Sequence, residues 1–186
     1  MAAKPIVCTP EEVLSFWFEE CASEDWFRAT IELDEEIGRR FRATHLALAA
    51  GVTDLWRATP GNRLAAIIVL DQFPRNLYRG TPLAFATDGL ALREAKAALE
   101  AGADREMPAE WRIFLYLPFE HAENLAEQDR SVALFHALGL DEQIDYALRH
   151  RAVIATYGRF PHRNAMLGRV STEAEEEYLA RPGAGF

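Results

Sequence analysis

Nowhere does this chain alternate apolar and polar residues long enough, between tight Asn-Gly or Asp-Gly turns, to build a half-buried strand. What recurs instead is the punctuation of helices. Thr9-Pro10-Glu11-Glu12 is a capping box with proline at the first helical position, and Thr172-Glu173-Ala174-Glu175 is a second box. Leu33, Ile37, Phe41 and Leu48 follow helical spacing up to Gly51, and the helix after Asn62 carries Leu64, Ile67 and Ile68 on one stripe. Asp88 opens an Ala-rich helix that Gly102 ends, and Asp141 opens one that runs to Tyr157 and stops at Gly158. Pro108-Ala109-Glu110 opens another, which Pro118 is expected to kink or break before an amphipathic stretch continues to Gly139. Many short helices with short joints imply antiparallel neighbours, so the fold class is all-α, a multi-helix array or bundle.

A chain of 186 residues with 49% hydrophobic and 26% charged residues reads as one globular domain over residues 1–186. The longest aliphatic run, Leu64 to Leu70, is far short of the ~20 residues that cross a bilayer. A net charge of −9 argues against nucleic-acid and anionic-membrane partners, both of which need broad basic surfaces. The start of the chain, Met1 to Pro5, has no basic segment followed by an apolar core, and the two cysteines, Cys8 and Cys21, stand in no CxxC or metal spacing. A reduced, cytoplasmic protein is the expectation.

Two segments break the apolar pattern. Extending the stripe of Ile67 and Ile68 by one turn reaches Asp71 and then Arg75, so a carboxylate arrives where core is expected. Gln72-Phe73-Pro74-Arg75-Asn76 follows, with Arg79 one turn further, and Pro74 forces the backbone to bend or restart. The second segment, Tyr157-Gly158-Arg159-Phe160-Pro161-His162-Arg163-Asn164, repeats the order of helix end, Phe-Pro, then Arg-Asn. From Tyr157 to Thr172 it has four basic or imidazole residues, Arg159, His162, Arg163 and Arg169, and no acid. Asp71, Gln72, Arg75, Asn76, Arg79, Arg159, Arg163 and Asn164 are therefore candidates to hold a carboxylate or phosphate. The plainer alternatives are that Asp71 and Arg75 form only an i, i+4 ion pair across a helix end, and that the arginines of the second segment pair internally, with Asp71, Glu120 or Glu123. Between the two segments, Glu120, Asn124 and Gln128 fall at helical spacing, which reads as a solvated polar stripe more readily than as a site.

The strings LDQFPRNLYRGT (Leu70–Thr81), YLPFEHAENLAEQDRSV (Tyr116–Val132) and YGRFPHRNAMLGRVSTEAEEEYL (Tyr157–Leu179) resemble a bacterial family known only as domain of unknown function 924. The resemblance extends from Phe16-Trp17-Phe18 to Pro182-Gly183. It implies an all-helical, tetratricopeptide-like fold and brings no activity with it. A 34-residue tetratricopeptide consensus is itself absent.

The residues thus point to a helical binding domain with a polar, Arg-lined cleft, shared by the two Phe-Pro segments and flanked by Glu120-His121. Its partner would be a small anionic molecule or an acidic peptide end. An enzyme using His162, Glu120 or His121 for acid–base work in the same cleft is the second reading. A protein-interaction module, in which the motifs only lock the helices, is the third. No cofactor is expected, since no GxGxxG or GxxxxGK[ST] is present, and no metal, since HExxH and paired ExxH are missing. His150, on a face with Val153, reads as a core histidine.

Overall fold

Nine α-helices carry the described chain, residues 6–28 and 30–185 of a computed structural model, and no strand occurs among those residues. They are α1 (Pro10–Ser15), α2 (Ile31–Ala50), α3 (Pro60–Asp71), α4 (Phe73–Leu77), α5 (Asp88–Glu100), α6 (Ala109–Glu120), α7 (Leu125–Leu138), α8 (Asp141–Tyr157) and α9 (Glu173–Leu179). Met1 to Pro5, read above for the absence of a leader, lie outside the described residues. No described helix is long and apolar enough to cross a membrane.

Local chemistry sets the helix ends. Thr9 and Thr172 each accept from the backbone N–H three residues on, and Glu12 and Glu175 return the bond to the cap's own N–H, so both capping boxes form. Gly139 and Gly158 end α7 and α8 at φ 75° and 70°, in the left-handed region that costs a side chain strain. After α1 the backbone widens into a π turn over Phe16–Glu20, and both Phe16 and Trp17 are buried there.

The chain forms two compact units, with Gly80–Pro82 and the residues from Phe119 onward in the second and the remainder in the first. In the first unit α3 is the central helix. Every residue from Leu64 to Asp71 is buried, and α3 packs against α1, α2 and α5. Phe73 is fully enclosed by Phe16, Trp17 and Phe41, with ring centroids at 6.1, 5.6 and 4.8 Å. Pro74 has the effect expected of it: α3 stops at Asp71, Gln72 is a joint, and α4 restarts at Phe73 and packs on α2. In the second unit α7 packs along α8, and α9 packs on the short turn Pro161–Arg163.

The stretch after Pro118 differs from the sequence reading. Pro118 lies inside α6, which continues to Glu120, and the break falls at residues 121–124. Pro118 gives up the bond that an N–H there would make to the carbonyl four residues back, and the helix still runs two residues past it. Nor do Glu120, Asn124 and Gln128 form a solvated stripe. Glu120 closes α6 and is buried, Asn124 caps α7 by accepting from the Ala126 and Glu127 N–H groups, and Gln128 is fully buried. The Gln128 Nε2 reaches back to donate to the carbonyls of Glu120 at 2.6 Å and Ala122 at 2.8 Å, satisfying acceptors that a helix end leaves orphaned.

Candidate functional site

In the first unit the candidates around Pro74 are held by Asp71 and by two acids the sequence did not single out, Asp88 and Asp34. Asp71 is completely buried at the end of α3, and Gln72 Nε2 donates to its Oδ2. Arg75 donates through Nη1 to the Asp71 carbonyl, and its Nη2 lies 3.7 Å from Asp71 Oδ1. The same guanidinium meets both carboxylate oxygens of Asp88 at 3.1 and 3.3 Å, at the first residue of α5. Burial opposes the charge on Arg75, but Asp71 and Asp88 outweigh it and hold the guanidinium above its ordinary value. Asn76 and Arg79 both turn to Asp34 on α2. Asn76 Nδ2 donates at 2.8 Å, and Arg79 makes a fork of Nε at 2.7 Å and Nη2 at 2.8 Å. Burial raises the Asp34 pKa, and the bonds from Arg79 and Asn76 more than reverse it. Asn76 also lines an open groove of about 470 Å³ along α2.

In the second unit the backbone after Gly158 is stitched to two glutamates. Glu123 accepts the Phe160 N–H at 2.7 Å and a fork from Arg169 at 2.7 and 2.9 Å, and Arg169 also donates to the Phe160 carbonyl. Glu175, already the return half of a capping box, accepts a second fork from Arg159 at 2.6 and 2.7 Å and a bond from Asn164 at 3.3 Å. The Arg159 bonds, then the Thr172 N–H, pull the Glu175 carboxyl down to about 2. Asn164 is buried and donates to Ser171 Oγ as well.

These ties fix the ring of Phe160, which is fully buried and has three polar neighbours. His150 and His162 each stand 5.6 Å from it, centroid to centroid, and the Arg163 guanidinium lies over its face at 4.7 Å. His121 joins the group, 6.5 Å from the His150 ring. The His150 Nδ1 lies 2.9 Å from the Tyr146 carbonyl and 3.3 Å from Glu120 Oε1. Burial pushes His150 down to about 3, against the Tyr146 contact and with help from His121, Arg163 and His162, so it is neutral beside Glu120. His162 falls to about 4, by burial first and then by the charge of Arg163. Of this group, His150 and Arg163 are buried at 7% exposure, and His121 and His162 are half-buried. All three acid–base candidates, Glu120, His121 and His162, therefore fall in the second unit with Arg159, Arg163 and Asn164. Asp71, Gln72, Arg75, Asn76 and Arg79 fall in the first.

Asp34, Asp88 and Glu175 are the partners the sequence reading missed, whereas Glu123 was among those it named. Glu175 was visible only as a capping residue, which masks its bond to Arg159. Among the described residues, no group of three or more His, Cys, Asp or Glu side chains is gathered to hold a metal ion.

Residues 13–183 match the model of a family described as bacterial protein of unknown function, DUF924. The chain belongs to this family. Its structure is similar to that of the protein of unknown function ATU0120 from Agrobacterium tumefaciens, at 38% identity and a TM-score of 0.88, over 92% of this chain and 96% of that one. No curated protein matches it. DUF924 membership agrees with the all-helical architecture and with the segments that carry the resemblance, and it assigns no reaction.

Proposed function

We propose that this DUF924 protein is a ligand-binding protein whose site lies around Phe160 and takes a small molecule bearing a carboxylate or phosphate. The gathering of His150, His162 and Arg163 on one buried ring carries this reading. Stacking fixes the plane of the Arg163 guanidinium, the side chain best shaped to meet two oxygens of an anion. Neutral imidazoles beside it add polar edges without a repelling charge. Arg159 and Arg169 support the site by anchoring the backbone on either side of it, through Glu175 and Glu123.

Binding is favoured over acid–base catalysis by the state of His162. An imidazole held at about 4 is poorly matched to proton transfer near neutrality. It is well suited to recognition, because an anion beside it favours the protonated form, so that binding tightens as the pH falls toward 4. A cytoplasmic setting suits Cys8 and Cys21, neither of which is in a disulfide.

Thermal melts with inorganic phosphate and with succinate test the reading. A bound anion at 100 times its dissociation constant stabilises by about 2.7 kcal/mol. That gain should disappear in Arg163→Ala and His162→Ala. A wild type indifferent to both anions, together with a strongly destabilised Arg163→Ala, would show that the arginine only braces the fold.

A further inference from the structure

The chain beyond α9 returns to the Phe160 site, within the same unit. The Ala180 N–H bonds to the Glu176 carbonyl and the Arg181 N–H to the Tyr178 carbonyl, which finishes the helix. Ala184 then donates to the Arg181 carbonyl at 3.2 Å and closes a turn. Arg181, Pro182 and Gly183 are exposed, whereas Ala184 and Gly185 are half-buried. What Gly185 reaches is His162. A Cβ added to it would stand 3.1 Å from His162 Cβ, tighter than ordinary packing, and 3.9 Å from Nδ1. Gly185 also has φ 101°, which glycine alone adopts without strain. Space and backbone angle each call for a residue with no side chain, and they do so against the imidazole.

The two ends of this segment are held unequally. Its root is fixed, since Glu175 on α9 accepts the Arg159 fork and Tyr178 packs on Tyr157 with ring centroids at 5.3 Å. Its tip is not. The hydrogen bonds described for residues 181–185 stay within the segment or return to Tyr178. A short, largely exposed stretch with few bonds to the rest of a fold opens locally at little cost. The His162 Nδ1 beneath it is shielded from solvent.

We propose that residues 181–185 form a strap over the anion site, latched by Gly185 on His162, and that ligand passes only when the strap lifts. The strap presupposes the binding role given above and adds the step that controls exchange.

Proton NMR of the full chain, with the His162 resonance assigned from His162→Gln, tests the cover. Burial is the first cause that holds this imidazole at about 4. In Gly185→Val the new side chain meets both the strained angle and the ring, so the strap cannot seat. The His162 midpoint should then rise by about one pH unit toward its ordinary 6.5. Gly185→Ala should give a smaller rise in the same direction. Arg163, Glu123, His121, Arg169 and His150 also act on His162, and all five are present in every variant compared, so the difference reports the strap. Phosphorus NMR line shapes of inorganic phosphate test the passage. Association and dissociation should both quicken severalfold in Gly185→Val, with the dissociation constant changing less. Equal His162 midpoints in wild type and both variants overturn the proposal, and so do equal exchange rates. Should phosphate bind neither protein, the anion reading falls, and the midpoints still decide whether the segment covers His162.

Discussion

His150 should make this protein lose stability on mild acidification in a way that one substitution removes. The imidazole is held neutral, at about 3 against an ordinary 6.5, chiefly because charging it means desolvating it beside Phe160. In the unfolded chain it titrates near 6.5. Between those two values the unfolded state binds one proton more than the folded state, so folding weakens as the pH falls. The slope from this single group is about 1.4 kcal/mol per pH unit, and the full range amounts to about 5 kcal/mol. His150→Asn keeps a donor near the Nδ1 position, within reach of the Tyr146 carbonyl, and cannot titrate. It should be less stable at pH 7, because it leaves space against the ring. Urea midpoints of both proteins at half-unit steps from pH 7.5 to 4.5 give the difference between them. That difference should be constant above pH 7 and narrow by about 1.4 kcal/mol per unit below 6.5. Carboxylates remote from residue 150 titrate alike in both proteins and cancel, and Glu120, 3.3 Å from His150 Nδ1, is held constant by repeating the comparison in a Glu120→Gln background. Two curves offset by a constant amount through the whole range would refute the claim that His150 is buried neutral.

The two Phe-Pro rings are structural anchors, and Phe73→Ala and Phe160→Ala should each cost about 3–5 kcal/mol by urea denaturation. An unchanged midpoint in either would contradict its full burial. Glu175→Gln should weaken the fork from Arg159 by about 2 kcal/mol at pH 7, the value of hydrogen bonds to a charged group. Because the folded carboxyl is depressed to about 2, this advantage of wild type is present above pH 4.5 and should fade as the pH falls toward 2.

What could be read from the sequence was local. Caps at Thr9 and Thr172, stops at Gly139 and Gly158 and the restart at Phe73-Pro74 each depend on residues within a turn or so of one another. Arg159, His162 and Arg163 stood out for the same reason, being crowded together in a stretch without acids. Most partners of the arginines were not legible, because pairing at long separation leaves no spacing to recognise. Arg75 meets Asp88 across 13 residues and Arg79 meets Asp34 across 45, while Glu123, 46 residues from Arg169, could be named only as one of three acids. The end of α6 was misplaced for a related reason. Pro118 is a strong local signal, but the Gln128 amide that secures the true end belongs to the next helix. The division into two units left no linker to find, since its boundary runs between Pro118 and Phe119, inside α6.

The Gln128 amide also decides where this protein tolerates added sequence. A reporter or epitope inserted at residues 121–124 would pull α7 away from the carbonyls its glutamine covers, and would leave the buried Glu120 without the corner that positions it. The connection around Gly51 makes no such demand. It follows a finished helix and is exposed, and its glycine adopts an extended φ of 170° that any residue can take. For labelling or tethering, that loop is the position of choice.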